Sequence, residues 1–217
     1  NDDGIDAPGI KLLERIARTL SSDVWVVAPT TEQSAMSHAL TLRRPLRIRK
    51  VSRRRFAIDG TPTDSVLMAL NHIIKDKRPG LILSGINRGA NLGDDIPYSG
   101  TVAATMEGTL LGIPSIALSQ VFSHPHPPKW ATAEQHAPKL IRKLLTEGWP
   151  ADVFLNINFP DVLANRVCDI EITRQGRRQF GDLLVDERHD TRGLPYYWIG
   201  HRRRLGSYAK GTDFDAI

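Results

Sequence analysis

Apolar positions along the chain fall into two patterns that alternate. From Pro8 onward, Ile10, Leu13, Ile16, Ala17 and Leu20 recur at three- and four-residue spacing, which predicts an amphipathic helix opened by the proline. Val24 to Ala28 is a short unbroken apolar run, as expected of a strand covered on both faces. Thr41 to Lys50 alternates Leu46 and Ile48 with Arg47 and Arg49 and contains Pro45, the pattern of an edge strand. Phe56 to Ile58 predicts another strand. Gly60-Thr61-Pro62 then turns into a helix carrying Val66, Leu67, Leu70, Ile73 and Ile74. Leu81 to Leu83 reads as a buried strand, and a Gly-, Asn- and Asp-rich loop runs from Gly85 to Tyr98. Ser99 to Leu111 is a Ser-capped helix, Pro114 to Ser119 a strand, Thr132 to Thr146 a long helix and Val153 to Asn158 a last strand.

This βαβ alternation predicts an α/β fold: a Rossmann-like, mainly parallel sheet with helices on both faces in three layers. Past Asn158 the sequence turns irregular, basic and Tyr- and Trp-containing, with strand-like Arg166 to Arg174. The division expected is a catalytic core over 1–160 and a strand-rich C-terminal arm over 161–217 that serves oligomerisation.

Composition narrows the class. No apolar run approaches the roughly 20 residues of a membrane-spanning helix, so no membrane partner is expected. The single Cys168 forms neither an internal disulfide nor a Cys-rich zinc site, which suits a reducing, cytoplasmic setting. A net charge of +5 favours anionic ligands. Eight of the thirteen residues from Arg43 to Arg55 are Arg or Lys, and smaller clusters stand at Arg174, Arg177 and Arg178 and at Arg202 to Arg204. Aromatic residues do not interleave with these runs, so a solvated face is the plain reading and a nucleic-acid partner is not expected.

In such sheets, ligands bind in the loops at the carboxyl ends of strands. Three polar loops have that placement: 1–9, 29–38 and 84–100. The first carries Asn1-Asp2-Asp3-Gly4, two adjacent carboxylates that repel unless a cation or hydrogen-bond donors offset them. The second supplies Ser34 and Ser37, and the third Ser84-Gly85-Ile86-Asn87, Arg88, Asn91 and Asp94-Asp95. Carboxylates joined by hydroxyl and amide oxygens form an all-oxygen set that selects one hard divalent cation, Mg²⁺ or Mn²⁺. Ser99-Gly100-Thr101 opens a helix whose free N–H groups favour an anion. His38, near the second loop, is a candidate acid for the leaving group, and a structural hydrogen bond is its plainer use. Tyr196, Tyr197 and Trp198 suit base stacking or, more simply, a subunit contact.

The segments NDDGIDAPGI, QSAMSHALTL, DGTPTDSV, SGINRGANLGDDIPYSGTVAATMEG and RGLPYYWIG, in this order, resemble the SurE (survival protein E) family of metal-dependent nucleotidases. The resemblance spans nearly the whole chain, and the block from Ser84 to Gly108 is its most specific part. It implies a Rossmann-like core and a divalent-metal phosphomonoesterase acting on nucleoside 5′- and 3′-monophosphates, with short polyphosphate as a further substrate. It also implies metal ligands at Asp2, Asp3, Ser34 and Asn87, with Ser34 preferred to Ser37 on this ground alone. Phosphate contacts fall at Asn91, Ser99, Gly100 and Thr101, and the assembly expected is a homodimer or homotetramer. The catalytic set expected is Asp2, Asp3 and His38. Family members place a short apolar strand before NDDG and a strand after the TDFDAI region; neither lies within these residues, so a window on a longer chain is expected. Two rival readings remain: a non-catalytic nucleotide or RNA binder, and a metal-independent esterase using Ser34 or Ser84. The latter lacks a G-x-S-x-G elbow.

Overall fold

The computed structural model describes residues 2–177, 180–203 and 208–217. Asn1 of the opening motif, Arg178 of the second basic cluster and Arg204 of the third lie outside them.

Helix α1 spans Pro8–Arg18 and buries Ile10, Leu12, Leu13 and Ile16. Strands β1 (Val26–Pro29), β2 (Ile48–Ser52) and β3 (Arg55–Ile58) form one sheet in the order β1-β3-β2. β1 runs parallel to β3, while β2 is an antiparallel edge, exposed along most of its length. Helix α2 (Pro62–Met68) begins with a reciprocal cap: the Asp64 N–H donates to Thr61 Oγ at 3.1 Å and the Thr61 N–H to Asp64 Oδ2 at 2.9 Å. A π-helical turn, Ala69–Ile73, extends α2.

The second sheet is wholly parallel, in the order β4 (Ile82–Arg88), β5 (Ser115–Gln120) and β6 (Leu155–Phe159). Helix α3 (Gly100–Leu110) packs on β4 and β5 and against α2. Helix α4 (Trp130–Glu147) lies alongside α1. The main core joins Leu12, Leu13 and Ile16 of α1 to Ile116 and Leu118 of β5 and to Ala137 and Ile141 of α4. The three-layer α/β architecture read from the sequence is therefore present.

Among the described residues, β1 is bonded in its sheet only to β3, and β4 only to β5. Between these two edges lies a largely apolar cavity of about 470 Å³, lined by Val26, Leu70, Leu81 and Leu83 among others. The segment after Asp2 crosses the end of this slot. Its Asp2 carbonyl accepts from the Gln33 N–H at 2.7 Å just past β1, and its Asp3 carboxylate accepts from the Arg88 N–H at 3.3 Å at the end of β4.

Three local readings are corrected. The loop expected from Gly85 begins later, because β4 continues to Arg88: despite their Gly and Asn character, these residues keep pairing with β5 through a register shift between Ser84 and Asn87. Arg166 to Arg174 is not a strand; its one ladder contact is an isolated bridge between Arg174 and Thr212. The aromatic stretch beyond it instead forms an antiparallel hairpin, β7 (Phe180–His189) with β8 (Pro195–Arg203). Residues 185–199 of this hairpin are exposed. No helix among the described residues is long and apolar enough to cross a membrane.

Candidate active site

The opening loop is bent by Gly4, whose φ of +92° is a conformation that favours glycine, and a Cβ there would stand 3.2 Å from the Thr31 carbonyl carbon. This turn delivers Asp2 and Asp3 to the carboxyl edge of the sheets. Asp2 is only 6% exposed, and its Oδ1 accepts from the Thr101 hydroxyl at 2.7 Å. Thr101 is itself fully buried in the first turn of α3. Gly100 allows that approach: a Cβ on it would lie 3.0 Å from the Asp2 Cβ and 2.9 Å from Pro62 Cγ.

Ser34 is exposed on the loop after β1 and donates to Glu32 Oε1 at 2.8 Å. Ser37 is turned away: its hydroxyl donates to the Pro97 carbonyl at 2.7 Å and its N–H to the Tyr98 carbonyl at 3.1 Å, tying this loop to the one before α3. Asn87 stands near the end of β4, where its Nδ2 donates to the Gly89 carbonyl at 3.0 Å and leaves Oδ1 as its acceptor. Asn91 is held hard: its N–H donates to Asn158 Oδ1 and its Nδ2 to Ser119 Oγ, while its carbonyl accepts from the side-chain amides of Asn156 and Asn158. Ser99 caps α3 by accepting the Val102 N–H at 3.1 Å, so its own O–H remains to donate.

Six of these residues, Asp2, Asp3, Ser34, Asn87, Asn91 and Ser99, line one cleft of about 940 Å³. Thr101, Gly100 and His38 do not. The Thr101 hydroxyl is buried and donates to Asp2. Gly100 backs the same carboxylate. His38 is half-buried against Glu107 of α3, Nε2 to Oε2 2.9 Å, so its ring is engaged by a carboxylate outside the cleft lining. The Arg43–Arg55 run contributes nothing to the cleft lining either. Arg44 pairs with Asp59, Arg54 with Asp23, and Arg55 with Glu14 and the Ile5 carbonyl. Ser84 is buried in β4 and borders the apolar cavity, so an esterase nucleophile there would have no access to the cleft. Tyr196, Tyr197 and Trp198 lie exposed on the hairpin.

Glu32, Phe122, His124 and Trp130 line the cleft without having been singled out from the sequence. The signal for the last three was the placement rule itself, because the loop leaving β5 opens at the same sheet edge as the others. Glu32 carried no signal beyond its position two residues before Ser34.

The donor set suits a hard cation. Two carboxylates, one buried and oriented by a hydroxyl, face the same space as a hydroxyl and an amide oxygen. Among the described residues no three His, Cys, Asp or Glu gather into a cluster that could hold a metal ion.

A family profile described as Survival protein SurE matches residues 1–182. A protein of Paramagnetospirillum magneticum named 5′-nucleotidase SurE is 66% identical over all of this chain and 83% of its own length. Its namesake in Parvibaculum lavamentivorans is 57% identical over all of this chain and 79% of its own. The crystal structure of the SurE protein from Aquifex aeolicus superposes with a TM-score of 0.85 at 40% identity, covering 99% of this chain and 85% of that one. With the profile, the relatives and the fold in agreement, this chain belongs to the SurE family.

Proposed function

We propose that this chain is a divalent-metal phosphomonoesterase that hydrolyses nucleoside 5′-monophosphates to nucleoside and phosphate, with 3′-monophosphates and short polyphosphate as further substrates. The observation that carries the reading is the convergence of Asp2, Asp3, Ser34 and Asn87 with Asn91 and Ser99 on one cleft. The first four would hold the cation. When bound, Mg²⁺ or Mn²⁺ supplies positive charge to a phosphoryl oxygen and makes a water more acidic.

The chain's own groups do the rest. Thr101 fixes the Asp2 carboxylate in a single orientation through its 2.7 Å hydrogen bond. Ser99 and the second N–H of the Asn91 amide donate to phosphoryl oxygens, beside the positive end of α3. The ring of hydrogen bonds around Asn91 keeps that donor in place without reorganisation as charge develops. In this scheme His38, bound to Glu107, braces the loop that carries Ser34.

The names of the two relatives support the 5′-nucleotide reading. A homodimer or homotetramer built through an arm of residues 161–217 belongs to the same proposal, supported by exposed Val185, Tyr197, Trp198 and Ile199 on the hairpin. So does a cytoplasmic location. The test is phosphate release from AMP, a 3′-mononucleotide and tripolyphosphate, with Mn²⁺ or Mg²⁺ and again with excess EDTA. Release from AMP that stops with EDTA is the expected result. Tight, salt-sensitive oligonucleotide binding without any phosphate release would favour a binding protein instead.

A further inference from the structure

The cleft is larger than a phosphoryl group and its cation require. About 940 Å³ lies at the upper end of the roughly 300–1,000 Å³ usual for small organic ligands. Besides the oxygen donors, the lining carries Phe122, His124 and Trp130, rings that offer little to a phosphoryl oxygen.

Arg88 and Phe122 stand at the same strand ends as the oxygen donors. Arg88 closes β4, Phe122 follows β5 by two residues, and the strands run parallel with Arg88 opposite Gln120. The Arg88 guanidinium stacks over the Phe122 ring, its central carbon 5.1 Å from the centroid. His124 meets the same ring edge-on at 5.0 Å. The Arg88 backbone N–H donates to Asp3 Oδ2, so the stacked pair begins beside that carboxylate. Its loop is fastened behind: Lys129 Nζ binds both the carboxylate and the carbonyl of Asp161.

We infer that Phe122, with Arg88 stacked on it, is the nucleobase platform of this cleft, a specificity element that takes the base while Asn91 and Ser99 hold the phosphate. The inference rests on the phosphomonoesterase reading and deepens it. A planar guanidinium and an aromatic ring both offer flat faces on which a base stacks. Stacking reads ring area rather than an edge pattern, so every base is accepted and purines are preferred to pyrimidines.

AMP and ribose 5-phosphate, which differ only by the base, test this. In steady-state kinetics with Mn²⁺, Phe122→Ala should raise KM for AMP about tenfold, with ribose 5-phosphate changed less than about twofold. Phe122→Tyr should restore AMP. Calorimetric titration with adenosine and with ribose reads the platform even if no phosphate is released: wild type should bind adenosine more tightly, and Phe122→Ala should lose the difference. An equal loss for AMP and ribose 5-phosphate, an unchanged KM for AMP, or a wild type that binds adenosine no better than ribose would overturn the platform. Absence of phosphate release from both esters, with adenosine binding intact, would overturn the phosphatase reading alone.

Discussion

Replacing Thr101 with Val removes one hydroxyl from beneath Asp2 and keeps nearly the same shape. The Thr101 hydroxyl is fully buried and donates to Asp2 Oδ1 at 2.7 Å, and Asp2 is itself 6% exposed. A hydrogen bond to a charged group contributes about 1.5–3 kcal/mol, and its loss leaves a buried carboxylate oxygen without that donor. At roughly 2–4 °C per kcal/mol for a chain of this size, the melting temperature should fall by about 3–12 °C. The extra methyl of Val offsets part of this, so the lower half of the range is expected. Catalysis should suffer independently of stability, because a carboxylate free to turn is misplaced for the cation. A misplacement of about 1 Å costs on the order of 10²-fold. Thermal melts and kcat/KM for AMP should therefore both be recorded for Thr101→Val and for Thr101→Ser. Serine keeps the donor and should recover most of both losses. If Thr101→Val melts with wild type and turns over AMP at the wild-type rate, Asp2 does not depend on this bond and the reasoning fails.

Other perturbations probe the surrounding supports. Gly100→Ala places a Cβ 2.9 Å from Pro62 and 3.0 Å from Asp2, a clash of about 1–3 kcal/mol that should lower kcat/KM for AMP more than it lowers the melting temperature. Asp213 is buried and accepts the N–H groups of Gly93 at 2.7 Å and Gly176 at 2.8 Å, so Asp213→Ala should speed hydrogen exchange at both amides and raise KM by loosening the loop before Ser99. At Asp161, burial raises the carboxyl pKa, but hydrogen bonds and charge from Lys129 with hydrogen bonds from Ser123 outweigh it, and the pKa is held below its ordinary value of 3.8. A lowered folded value means that its contribution is present above pH 4 and fades as pH falls through the folded pKa. The melting difference between wild type and Asp161→Asn should therefore shrink in melts taken from pH 6 down to pH 3.

The sequence carried the core architecture because most of its elements announce themselves locally, whereas the β7–β8 hairpin did not. The spacing of Ile10, Leu13 and Ile16, the Ser99 cap and the unbroken apolar runs need no tertiary information. Residue types also led to the proposed oxygen set, although the choice of Ser34 over Ser37 came from the family resemblance. What sequence could not supply was the direction of each polar group. Thr101 and Ser99 are two residues apart in one helix start, yet Thr101 turns inward to Asp2 and Ser99 faces the cleft. His38 stands beside the right loop in sequence but is engaged by Glu107, 69 positions away. Arg88 and Phe122 meet only because β4 and β5 are neighbours, a pairing invisible in either segment alone.

In the proposed function, an all-oxygen set centred on Asp2 and Asp3 holds the cation that phosphate release requires. The most direct test is AMP hydrolysis by wild type and by Asp3→Asn, measured after EDTA treatment and again on adding back Mn²⁺. The expected result is that wild type falls silent and recovers with Mn²⁺, while Asp3→Asn stays at least about a hundredfold lower with its fold intact. Undiminished hydrolysis in EDTA, or full activity of Asp3→Asn, would contradict the account.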